Sequence, residues 1–105
     1  MIIPKKIDIL GHIYDVIVTS DIEKAAQECG LNPSKGKEFV GCYDSTLLKI
    51  YIDKDSIQVV REQTLWHEII EILGEQMSMA LPHENVERLE HGLYYVLSKN
   101  KLLKE

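Results

Sequence analysis

Cysteine is scarce in this chain, with Cys29 and Cys42 the two present. There is no CxxC pair and no set of four or six, which excludes a disulfide framework as the basis of the fold. Reduced thiols buried as small apolar groups are the expectation. The spacing leaves a Cys29–Cys42 disulfide open without implying it. Long apolar runs are also missing. None approaches the roughly 20 residues that a membrane span needs. The opening MIIPKKIDIL lacks a charged region followed by a long apolar stretch, so no signal peptide is expected. These absences point to a cytoplasmic protein with no membrane partner. Positive charge is short too. The formal net charge is −5, and the lysines lie at the two ends and between positions 24 and 54. A protein of that balance is not a non-specific nucleic-acid binder. The glycine-containing GLNPSKGKEFVG lacks the spacing and the Lys-Ser/Thr ending of a phosphate loop. Repeats, low-complexity segments and a second domain are absent.

What is present suits one domain over residues 1–105. Hydrophobic residues make up 45% of the 105 positions, enough to bury a core without disulfides. KKIDILGHIYDVIV alternates as two strands, near 5–10 and 12–18, with Gly11-His12 as the turn. TSDIEKAAQECGLNP reads as a short helix capped by Thr19 or Ser20 and ended by Gly30. NPSKGK reads as a surface loop. EFVGCYDSTLLKIYID reads as a second hairpin turning at Asp44-Ser45. Ser56 then caps a long helix to about Ala80, with Val59, Trp66, Ile69, Ile70, Leu73, Met77 and Ala80 on one arc. Gly74 is a soft spot within it. Pro82 opens a last helix to about Ser98, with Val86, Leu89, Leu93, Val96 and Leu97 facing inward. KNKLLKE follows as a basic tail. The fold class is α+β: antiparallel β-hairpins packed on a long motif-bearing helix and a C-terminal helix.

The chemistry sits in TLWHEIIEIL. His67 and Glu71 are one helical turn apart on one face, the spacing at which two side chains grip one ion. Glu68 stands beside them. The HExxH zinc motif uses this spacing, with the intervening Glu activating water. Here Glu71 replaces the second histidine, and a carboxylate oxygen is a legitimate though harder zinc ligand. On the last helix His83, Glu87, Glu90 and Tyr94 share an arc of about 60°. Between Arg61 and Arg88 the chain has neither lysine nor arginine, yet it carries six glutamates there. Gathered carboxylates without basic partners are either solvated or hold a cation. The competing reading is an ordinary amphipathic helix with a wet His/Glu face.

FVGCYDSTLLKIYID, TLWHEIIEIL and LPHENVERLEHGLYYVL, in that order, resemble small phage and prophage proteins of the zincin-like metallopeptidase group, distantly similar to the ImmA/IrrE family. The resemblance covers roughly residues 38–100. It implies His67 and Glu71 as ligands of zinc or another divalent cation and Glu68 as general base in peptide hydrolysis, within a bacterial host cell. It implies a third ligand from the last helix: Glu90 first, His83 next, Glu87 third. His83 or Tyr94 would otherwise steady an oxyanion. The partner implied is a peptide or protein. The HExxE departure weakens the Lewis acid, which leaves a catalytically inactive metal-binding or protein-interaction module as the alternative.

Overall fold

The computed structural model describes residues 1–32 and 39–103. The expected NPSKGK loop beyond Asn32, Glu38, and the Lys104-Glu105 end of the tail lie outside the described residues. Lys6–Ile9 (β1) and His12–Thr19 (β2) form the first hairpin, with Ile9 opposite His12. Its turn is Leu10-Gly11, one residue earlier than predicted. Both residues take positive φ, 52° and 90°, as a two-residue turn matched to strand twist requires. Asp8 Oδ1 accepts from the Gly11 N–H at 2.8 Å, which offsets the strain of a left-handed leucine.

Ile22–Glu28 forms α1, and its cap is Asp21, not Thr19 or Ser20. The Asp21 carboxylate accepts from the Lys24 N–H at 3.2 Å, while Thr19 Oγ1 instead accepts from Asp21 N–H. Gly30 ends the helix at φ 83°, with Gly30 N–H bonded to Gln27 and Leu31 N–H to Ala26. That pair of bonds is the Schellman closure that favours glycine.

The second hairpin pairs Gly41–Asp44 (β3) with Lys49–Asp53 (β4). Asp44 Oδ1 accepts from the N–H groups of Thr46 and Leu47, fixing the turn. The two hairpins join through β2 and β4, which run parallel, so the sheet order is β1-β2-β4-β3. The sheet is therefore mixed, where the alternating strands suggested an antiparallel one. The reason lies in β4. Ile50, Tyr51 and Ile52 are all buried, and a strand apolar on both faces belongs inside a sheet covered on both sides. Ile50 and Ile52 pack with Tyr14, Val16, Leu65 and Ile72 on one face. Tyr51 and Cys42 pack with Ile22, Ala25 and Ala26 of α1 on the other. The fold is α+β, with the sheet between α1 and the long helix.

That long helix, α2, is Gln58–Gln76. Ile57 takes the cap position without a side-chain bond, and Ser56 Oγ reaches Asp53 instead. Leu65, Ile70 and Ile72 are buried, but the predicted inward residues Val59 and Met77 are exposed. Helix α3, His83–Lys99, follows after a short corner, with Pro82 as its N-cap. At that corner Gly74 has a structural use. A Cβ there would lie 3.1 Å from Leu81 Cδ1, so the missing side chain lets the corner fold back onto α2. Helix α3 packs chiefly on α2. Its buried residues are Val86 and Glu90, whereas Leu89, Leu93 and Val96 are 46%, 41% and 50% exposed. Periodicity identified the stripe, but with one neighbouring helix only its edge is covered.

Two substitutions check this arrangement. Ile72→Ala removes a fully buried side chain and should cost about 2–5 kcal/mol in urea unfolding. Leu89→Ala should cost less than about 1 kcal/mol; comparable losses for both would place α3 with its stripe inward.

Candidate metal centre

The helix spacing does what the sequence indicates. His67 Nε2 and Glu71 Oε1 lie 2.8 Å apart across one turn of α2. The short corner then sets His83, the first residue of α3, beside them. His83 Nδ1 is 3.4 Å from the same Glu71 oxygen, and the two imidazole rings meet edge to face at 5.1 Å. His67, Glu71 and His83 can each offer one ligand atom within 4.8 Å of the others, so together they can hold a metal ion.

The outer nitrogens have partners of their own. His67 Nδ1 is 3.1 Å from Glu90 Oε1. His83 Nε2 is 3.0 Å from Glu87 Oε1. Glu90 and Glu87 thus meet the far side of the two rings, while Glu71 meets the near side. A carboxylate behind a histidine fixes its ring and raises its basicity as a ligand. Glu90, the sequence's first choice as third ligand, stands outside the grouping of three, and His83, its second choice, stands within it. A ring has two nitrogens, and helix-wheel arithmetic does not tell which one a neighbour faces. Tyr94, the other oxyanion candidate, donates to Glu62 Oε1 at 3.0 Å, away from the group. His91 lies with Nε2 3.6 Å from the second Glu90 oxygen.

Glu68 is 4% exposed. It has no hydrogen-bond partner among the described residues, and it lines a cleft of about 1180 Å³. The described lining of that cleft includes seven carboxylates and neither lysine nor arginine. Gly41 of β3 lies directly over this region. A Cβ there would collide with the Thr64 methyl and come 3.7 Å from Glu68 Oε2. Sequence reasoning did not single out Gly41, since a strand glycine without a turn signals close approach only once its neighbour is known. It also passed over the buried Glu62. That carboxylate accepts from the Met1 ammonium, Gln58 and Tyr94.

Proton affinities follow from this crowding. The hydrogen bond to Glu71 lifts His67 to about 9, against the pull of burial. Burial, reinforced by the Glu71 charge, pushes Glu68 up to about 8. Glu71 moves the other way, lowered chiefly by its bond to His67. In the metal-free chain His67 is thus an imidazolium between carboxylates, and Glu68 holds its proton at neutral pH.

No family model, curated protein or solved structure matches this chain. Among the described residues, no helix is long and apolar enough to cross a membrane.

The raised groups give a signed pH dependence. A folded-state pKa above the unfolded value contributes stability below the unfolded pKa and loses it as pH rises through the folded one. For Glu68 the loss spans 4.5 to about 8, and for His67 it spans 6.5 to about 9. Glu71, being lowered, loses its contribution below 4.5. Metal-free protein should therefore have a lower urea midpoint at about pH 9 than at about pH 6. Glu68→Gln should flatten the lower part of that fall; an unchanged slope would mean that Glu68 is ionised throughout.

Proposed function

We propose that this chain is a zincin-like metal-binding protein of the phage and prophage type, in which His67, Glu71 and His83 hold a zinc ion. The observation that carries the reading is the two-sided environment of each histidine. One nitrogen of each ring meets Glu71, and the other meets a separate carboxylate, Glu90 or Glu87. Two nitrogens and one oxygen suit zinc. The seven carboxylates of the cleft, with neither lysine nor arginine among its described lining residues, favour a cation over an anion in the same place.

Zinc held there would supply Lewis acidity and a lowered pKa for water. Glu90 and Glu87 orient the two imidazoles. Glu68 sits at the cleft wall beside His67 and takes up a proton near neutral pH, the property required of a general base in peptide hydrolysis. Strand β3 is at the sheet edge and lines the same cleft. An extended peptide can add to such an edge through main-chain hydrogen bonds. A peptide or protein in the cytoplasm of a bacterial host is accordingly the substrate class. The second reading, metal-dependent partner binding without hydrolysis, draws on Glu68 itself. At 4% exposure it presents little surface to a substrate, and Glu71 weakens the Lewis acid relative to a histidine.

Elemental analysis of protein purified without added metal should find about one zinc per chain. Zinc added to stripped protein should raise the melting temperature, and Glu71→Ala should remove most of that rise. An unchanged melting temperature in the parent would leave a solvated His/Glu face. For hydrolysis, Glu68→Gln should retain zinc while metal-dependent cleavage of an unstructured protein such as casein falls about 100-fold or more. Zinc binding with no cleavage by the parent would select the second reading.

A further inference from the structure

The face of β3 opposite Gly41 carries a separate chemistry. Cys29 ends α1 at its C-cap, and Cys42 lies in β3, buried against that helix. Both are free thiols, and their sulfurs are 3.3 Å apart. A disulfide needs about 2.05 Å, so closure requires roughly 1.3 Å of approach, within the range of small side-chain rotations. The two residues are 13 positions apart in the chain but belong to elements already packed together. Little conformational freedom therefore remains to be lost on bonding. Both line the cleft, which gives a small reagent access, with half-buried Cys29 the more accessible.

We propose that Cys29 and Cys42 are a redox pair that closes to an intramolecular disulfide, fastening the C-terminal end of α1 to the edge strand β3. The inference is independent of any metal. The oxidant is a low-molecular-weight disulfide such as oxidised glutathione. Cys29, as thiolate, attacks one of its sulfurs, forming a mixed disulfide and expelling one glutathione thiolate. Cys42, as thiolate, then attacks Cys29 Sγ and expels the second. The two protons lost from the cysteines end on the two glutathione thiols. Two electrons pass from the protein to the oxidant.

The surroundings set the pace. Burial raises both thiols above their ordinary pKa. Asp44 from β3 and Glu28 from α1 add negative charge around the pair, Glu68 from α2 joins them only once it ionises near pH 8, and Tyr51 of β4 packs against it. Each disfavours the thiolate, so the pair reacts slowly at neutral pH and faster as pH rises.

The test treats the full chain with oxidised glutathione at about pH 8, traps with N-ethylmaleimide and measures denatured intact mass. The expected product is a monomer two hydrogens lighter than the reduced chain, without maleimide, restored by dithiothreitol. Its peptide map should join the Cys29 and Cys42 fragments, and its melting temperature should exceed that of the reduced form. Cys42→Ala should instead stop at a stable glutathione adduct on Cys29, and Cys29→Ser should leave Cys42 far slower to react. A parent that takes two maleimides, keeps stable glutathione adducts or links into dimers overturns the proposal. So does an oxidised form that melts below the reduced one.

Discussion

Helix α2 meets α3 across acids, and neutralising those acids is the constraint on which this end of the molecule depends. Glu62, Glu68 and Glu90 are buried, the first two within a stretch, positions 62 to 87, that has neither lysine nor arginine. A buried carboxylate without compensation is strongly unfavourable. Each one is compensated differently. Glu62 collects the Met1 ammonium, Gln58 and the Tyr94 hydroxyl. Glu90 meets His67 and His91. Glu68 keeps a proton. Only the last solution needs no second side chain, so Glu68 is the carboxyl whose charge responds most directly to an added cation.

The same constraint explains why His67 matters beyond its own chemistry. Its imidazolium lies between Glu71 on its helix and Glu90 on the next. It therefore ties α2 to α3 while balancing both acids. A divalent ion near Glu71 would take over the balancing role and release the His67 proton. Metal affinity and proton affinity are then linked at this residue.

Much of this was legible in the sequence, and the limits have physical causes. The His67/Glu71 spacing, the matching arc on α3 and the want of basic residues are one-dimensional signals, and they survive into three dimensions. Gly30 and Asp44 likewise acted as their residue types require. The parallel union of β2 with β4 was not legible, because strand alternation specifies faces but not neighbours. Its trace was the unbroken Ile50-Tyr51-Ile52 run, which marks a strand covered on both sides. Leu89, Leu93 and Val96 follow the periodicity of a buried stripe, yet burial also needs a second partner beside α2. Glu90 and His83 were both named, and only the choice of ring nitrogen separates their surroundings.

The corner at Gly74 carries a consequence for how such a site could arise or be lost. Leu81 rests on the bare backbone of Gly74, and Met79 N–H returns to the Gly74 carbonyl at 2.8 Å. The turn behaves as a fixed-length clasp between the two imidazoles. One residue added inside it would break this close contact and shift the start of α3, carrying His83 away from Glu71 while both helices kept their own sequences. The register of the pairing thus resides in six residues that touch no ligand, and length variation there would change chemistry without altering a single donor.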